Sequence, residues 1–211
     1  MPAPIPLNLA LQGGGAHGAF TWGVLDRLLE EPGISFARVS GTSAGALNGA
    51  ALVSGLLNGG SEGARRALSS LWESVAAEGL PFTLLMLPLH KPSLGLWDDA
   101  MPLVSPQMAN PFGHAPLRSV LNAVVDFEAL RSARRPSLYV NAVSVNTGFG
   151  RVFAPGELTV ETLLSACAPF LFPPVQIGSE CYWDGSYATN PSLWPLYQGH
   201  DDADILMVEL T

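Results

Sequence analysis

The sequence predicts an α/β domain built on a mainly parallel sheet, and three observations carry that prediction. Up to residue 45, two apolar runs each end in a glycine-bounded loop and lead into a helical pattern. That β-α-β-α order requires parallel strands joined by right-handed crossovers. The two loops, Gly13-Gly14-Gly15-Ala16-His17-Gly18 and Gly41-Thr42-Ser43-Ala44-Gly45, both fall at the carboxyl ends of strands, where open α/β sheets carry their sites. Further on, Leu138, Val140, Ala142, Val143 and Val145 form the nearly continuous apolar run of a strand covered on both faces. At 211 residues the chain is long enough for one domain, 1–211, with a sizeable core.

The elements follow from pattern. Ile5 to Leu11 is apolar and strand-like until Gln12-Gly13-Gly14-Gly15 breaks it. From Ala16, the positions Ala19, Phe20, Gly23, Val24 and Leu28 recur at three- and four-residue steps, a helix that ends near Glu31-Pro32-Gly33. Ile34 to Ser40 is a second strand. The small-residue helix after it, with Ala44, Ala46, Leu47, Ala50, Ala51 and Val53, runs to a break at Asn58-Gly59-Gly60. Another helix reaches about Glu78 on an apolar face of Ala64, Ala67, Leu68, Leu71, Trp72 and Val75. Residues 79–115 contain Pro81, Pro88, Pro92, Pro102, Pro106 and Pro111 in a Leu-, Met- and Phe-rich run. No regular element is expected to persist there, and the segment reads either as a surface excursion or as an apolar lid beside the site. Arg118 to Arg134 reads as one or two short helices, 137–145 as the third core strand and 150–154 as a hairpin arm against it. A helix over 160–168, a short strand over 175–177 and a last strand over 203–210 complete the order.

Composition excludes several functions. Ten basic against eighteen acidic residues give a formal charge of −8, which argues against binding nucleic acid or docking on anionic lipid by charge. Cys167 and Cys181 show neither zinc nor C-x-x-C spacing, so a reducing compartment and no metal are expected, with a single disulfide left open. The N-terminus has no basic region before its apolar run, and no window holds ~18 uninterrupted apolar residues. The expectation is a cytoplasmic protein.

Ser43 between Gly41 and Gly45, after a strand and before a helix, has the form of a nucleophile elbow. A serine at the apex of so tight a turn leaves no room for bulk two residues to either side. The following helix aims its N-terminal amides at an oxyanion forming beside that serine. Gly13-Gly14-Gly15-Ala16-His17-Gly18 also spells a dinucleotide fingerprint, but the second strand ends at Val39-Ser40-Gly41 without the acid that would hold a ribose. As an anion cradle, the same glycines would present backbone N–H groups to a tetrahedral intermediate. Tyr182-Trp183-Asp184-Gly185-Ser186 sets an acid after two aromatic residues, where partial desolvation raises a carboxylate's basicity.

Taken in order, the glycine loop, the Gly41-Thr42-Ser43-Ala44-Gly45 elbow and Asp184-Gly185 resemble the patatin-like phospholipases over about residues 7–195. Phe172-Pro173-Pro174-Val175 and Asn190-Pro191 resemble the surroundings of that family's acid. The resemblance implies a three-layer α/β/α sandwich and hydrolysis of lipid acyl esters by a Ser-Asp dyad, with neither metal nor cofactor. By motif the nucleophile is Ser43, the base Asp184, and the oxyanion donors the amides of Gly13, Gly14 and Gly15. Gly18, Gly41, Gly45 and Gly185 support the motifs. The implied partner is a lipid or other acyl ester, with at most transient contact at a membrane surface. Two positions depart from the family: His17 stands where Arg or Lys is usual, and Ser186 where Gly or Ala is usual. The strand after the acid is generally followed by further helix, so the chain is expected to be either shortened at its C-terminus or a minimal member. Two alternatives remain at this point. One is a catalytically silent lipid- or nucleotide-binding module. The other is a Ser43-Asp184-His200 triad, which order alone permits, although His200 lies in a polar turn.

Overall fold

A computed structural model describes residues 3–86, 112–167, 172–198 and 203–210. The expected βαβα start is present: β1 (Ile5–Leu11), α1 (Gly18–Leu29), β2 (Ile34–Thr42) and α2 (Ala44–Met86). After α2 come α3 (Ala115–Val124), α4 (Phe127–Ser132), β3 (Ser137–Ser144), β4 (Gly150–Phe153), α5 (Val160–Ser165), β5 (Val175–Ile177), β6 (Glu180–Asp184), α6 (Trp194–Tyr197) and β7 (Asp204–Val208).

Among the described residues seven strands form one sheet, hydrogen-bonded in the order β5-β6-β3-β2-β1-β7, with β4 also on β3. Strands β7, β1, β2 and β3 pair in parallel, whereas β4 and β6 run antiparallel to β3, and β5 antiparallel to β6. The parallel centre is the buried part. Leu9, Leu11, Val39, Leu138 and Val140 have no exposed surface, and burying each such side chain contributes roughly 1.5–3 kcal/mol. These residues share one face, against which α2 lies closely because its contact positions are small: Ala46, Ala50 and Ala51 are fully buried, and a Cβ on Gly49 would meet Leu138 at 2.8 Å.

Helix α2 is broken at Gly59–Gly60, where the backbone leaves helical geometry and Gly60 takes φ 59°, as the Asn58-Gly59-Gly60 signal predicts. The helix does not stop near Glu78 as expected but continues through Pro81 to Met86. The remainder of the proline-rich segment, 87–111, lies outside the described residues, and with it most of the excursion or lid read from 79–115.

The other face of the sheet is polar at its centre. Asn8, Ser40, Thr42 and Asn141 are buried there and hydrogen-bond to the stretch running from Thr189 into α6. Asn8 Nδ2 donates to the Leu196 carbonyl at 2.8 Å, and Ser40 Oγ donates to the Ser192 carbonyl at 2.6 Å. The central sheet is thus flanked by helix on both faces, as expected. Among the described residues, the second layer consists of α6 and the extended segment leading into it.

Candidate active site

Ser43 is the first residue beyond β2 and the last before α2. Its φ is 53°, and among the described residues it is the only non-glycine with positive φ. A left-handed backbone costs an L-residue about 1–2 kcal/mol, strain of the kind that collects at functional positions. The flanking glycines are required by space: a Cβ on Gly41 would lie 2.6 Å from the carbonyl carbon of Gly45, and one on Gly45 would lie 2.1 Å from the Leu11 carbonyl oxygen. The elbow is therefore packed against the end of β1, from which the glycine loop departs.

That loop returns to the serine. A Cβ on Gly13 would stand 2.7 Å from both Ser43 Cβ and the Thr42 carbonyl oxygen, so the loop backbone touches the elbow. Gly18, at the start of α1, is pressed against Ala44 and the Trp72 ring. Buried Asn48 ties the same place together: its Nδ2 donates to the carbonyls of Gly18 (2.9 Å) and Ala44 (3.1 Å), and its Oδ1 accepts from Trp72 Nε1 at 2.9 Å. Of the three amides expected to serve as oxyanion donors, that of Gly13 is engaged, donating to Asn190 Oδ1 at 2.7 Å. Among the described residues none accepts from the N–H of Gly14 or Gly15. His17 is exposed.

Asp184 reaches the same place from the far end of the sheet, and strand register shows how. Val140 is flanked by Gly41 of β2 and Phe153 of β4, and Asn141 by Thr42 and Val152, so β2 and β4 occupy opposite edges of β3. Ala142 pairs with Arg151 of β4 and with Asp184 of β6. Strand β6 therefore takes the edge that β2 has just vacated. Thr42 ends β2 opposite Asn141 and Asp184 ends β6 opposite Ala142, one strand rise, about 3.3 Å, further along. Serine and acid thus stand at the abutting ends of two strands, 141 positions apart in the sequence.

Asp184 is 3% exposed. Its Oδ1 accepts from the Ser186 N–H at 2.9 Å, which fixes the carboxylate at the head of the turn Gly185–Tyr187. Gly185 lies against the main chain of Asn141, where a Cβ would come within 2.6 Å of the carbonyl oxygen. Tyr182 shares the face of Asp184 and packs edge-on against Phe153, while Trp183 points to the opposite face. Burial pushes the Cys167 thiol up strongly, and the nearby Asp184 carboxylate adds to the shift. Cys167 therefore stays a neutral thiol beside the acid. Both cysteines are free. No hydrogen bond joins Ser43 Oγ to Asp184 here.

Among the described residues no group of acids, histidines and cysteines is arranged to hold a metal ion. His200 lies outside the described residues. Motif reading did not assign roles to the buried polar residues beneath the site: Ser40, Asn141 and Ser192. Asn141 is the legible one, a lone amide inside the apolar run of β3.

Among solved structures the fold is similar to that of VipD from Legionella pneumophila, with a TM-score of 0.56 at 16% identity, over 97% of this chain and 50% of that one. The chain thus spans about half the length of that protein. No curated protein matches it. A model of the patatin-like phospholipase family matches residues 9–197. That span contains the glycine loop, the elbow and Asp184-Gly185, and by this match the chain belongs to the patatin-like phospholipase family.

Proposed function

We propose that this chain is a serine lipid acyl hydrolase in which Ser43 is the nucleophile, Asp184 the general base, and the amides of Gly14 and Gly15 the oxyanion donors. Family membership supports lipid acyl hydrolysis in general terms. The assignment of roles rests above all on one observation: the register of β3 makes the ends of β2 and β6 adjoin, so that the strained serine and the buried acid stand side by side.

In this mechanism Ser43 Oγ attacks the ester carbonyl as its proton passes to Asp184. A carboxylate can take that proton only in concert with attack, because serine is a very weak acid. The oxyanion is held by the loop amides at positions 14 and 15, from which nothing accepts among the described residues, and by the N-terminal end of α2. Collapse of the tetrahedral intermediate expels the alcohol, which takes the proton back from Asp184 and leaves an acyl-Ser43 ester. Water then attacks the acyl carbon and gives a proton to Asp184. The second collapse releases the fatty acid and returns that proton to Ser43 Oγ.

Exposed aromatic side chains at this end of the sheet favour a lipid surface as the source of substrate. Phe149 is 76% and Tyr187 57% exposed, and Tyr187 is close enough to Asp184 for the carboxylate, after burial, to help raise its phenol. Among the described residues no helix is long and apolar enough to cross a membrane, so contact is proposed to be peripheral and transient. The two free thiols fit the cytoplasm as its place.

The test is covalent labelling by a fluorophosphonate with peptide mapping, alongside ester turnover by three variants. Ser43→Ala and Asp184→Asn are each expected to lose at least ~10³-fold in turnover with an unchanged circular dichroism spectrum. His200→Ala is expected to stay within about threefold, because the dyad requires no histidine. Folded wild-type protein that does not label would favour a silent binding module. Inactive, well-folded His200→Ala would restore a triad.

A further inference from the structure

Between the end of β1 and the start of α1 the glycine loop has only one short turn, Gly15–His17, of regular structure. An oxyanion cradle works only if its amides are fixed before the charge develops. Gln12 N–H on the Val208 carbonyl (3.1 Å) and His17 N–H on the Gly14 carbonyl (3.2 Å) hold its flanks, and its centre is held at Gly13. One side of that residue touches the elbow, with no room for a Cβ beside Ser43. On the other side a single side chain takes both of its backbone groups: Gly13 N–H donates to Asn190 Oδ1 at 2.7 Å, and Asn190 Nδ2 donates to the Gly13 carbonyl at 3.2 Å.

We infer that Asn190 is the positioning residue of the oxyanion loop. The inference rests on the hydrolase function proposed above. By holding Gly13 at both its N–H and its carbonyl, Asn190 sets the reach of the next two amides toward Ser43 while touching no substrate itself. Asparagine suits the task because its side-chain amide carries a donor and an acceptor side by side, the complement of one residue's N–H and C=O. A carboxylate would lose the donor, and an alkyl group would lose both.

Asn190 is itself held on both sides. Thr42 Oγ1 donates to the Thr189 carbonyl at 3.2 Å, and Ser40 Oγ donates to that of Ser192 at 2.6 Å. Ser192 N–H donates to Asn141 Oδ1 at 3.3 Å, while Asn141 Nδ2 donates to Ser40 Oγ (3.1 Å) and the Gly41 carbonyl (2.7 Å). Upstream, the N–H groups of Ala188 and Thr189 both donate to the Gly185 carbonyl at 2.8 Å. One stretch, 184–192, thus carries the acid at one end and, toward the other, grips the glycine loop through Asn190 and is fastened to β2 beneath the serine. The three parts of the site keep their mutual geometry through it.

The test compares wild type with Asn190→Ala on a short-chain nitrophenyl ester. A fluorophosphonate counts active sites, and a trifluoromethyl ketone mimics the tetrahedral adduct. A loop displaced by about 1 Å is expected to lower kcat/KM by ~10²-fold and to weaken ketone binding by the same factor, with KM nearly unchanged. The fluorophosphonate should still label one serine per chain, only more slowly. A merely structural role would instead shrink the labelled fraction and leave ketone affinity in the remaining sites as in wild type, and that result overturns the inference. Wild-type protein that does not label overturns the hydrolase assignment and this inference with it. If Asn190→Ala does not fold, hydrogen exchange by NMR in the wild type decides. The Gly13 amide is expected to be protected by at least ~10²-fold although it lies outside any strand or helix, and exchange at the unprotected rate overturns the inference.

Discussion

Replacing Gly13 with alanine tests the geometry of the site at its tightest point. The added Cβ would stand 2.7 Å from Ser43 Cβ and 2.7 Å from the Thr42 carbonyl oxygen, whereas ordinary contacts begin near 3.4 Å. The loop must therefore retreat from the elbow by about 0.7 Å, since β2 and α2 are packed into the core and cannot yield as readily. Retreat strains the two hydrogen bonds to Asn190 and carries the amides of Gly14 and Gly15 away from the position proposed for the oxyanion. A misplacement of about 1 Å costs on the order of 10²-fold in rate, so kcat/KM is expected to fall between ~10- and 10²-fold. KM should change little, because the lost contact belongs to the transition state. Overpacking should also lower stability by roughly 1–3 kcal/mol. The assay is ester turnover normalised to active sites by fluorophosphonate titration, with urea unfolding measured in parallel. Turnover per active site within about twofold of wild type would refute the close approach of loop and serine on which this estimate rests.

Other positions give independent expectations. Gly23→Ala, on the exposed side of α1 with nothing within 4 Å of the new Cβ, should raise stability by about 0.5–1 kcal/mol in urea titration and leave turnover alone. Thr159 caps α5, its Oγ1 accepting from the Thr162 N–H while Thr162 Oγ1 accepts from the Thr159 N–H. Thr159→Ala should cost about 1 kcal/mol by the same titration. His114 is stacked on Phe172 with its Nε2 buried and without a partner among the described residues. Burial, and to a lesser degree Arg118, holds its pKa below the ordinary 6.5. The unfolded chain therefore takes up this proton first, and its contribution to stability is lost as pH falls from about 6.5 through the lower folded value. Urea midpoints of the wild type at pH 7 and pH 5.5 should differ more than those of His114→Phe, and equal differences would sink the assignment.

Much of the fold was legible because local physics repeats along the chain. Apolar runs of strand length, helical periodicity and glycine punctuation located β1, α1, β2, the Gly59–Gly60 break and β3. The glycines at 41 and 45 announced a turn too tight for side chains, and a Cβ on Gly45 would lie 2.1 Å from the Leu11 carbonyl oxygen. Proline misled in one place: Pro81 reads as a stop, yet α2 runs through it to Met86. What the sequence determined by itself was therefore the family, the order of the strands and helices apart from β6 and α6, which no pattern announced, and the residue types that the family's motifs single out. Tertiary structure alone decided how those residues meet. That β6 enters antiparallel on the edge of β3 where β2 stops is a matter of pairing between segments more than a hundred residues apart, on which local periodicity carries no information. The same holds for Asn190 and Gly13, joined across 177 positions. A backbone N–H is identical at every residue until folding determines what accepts from it, and so no motif could tell that the first amide of the loop is already taken while, among the described residues, nothing accepts from the next two.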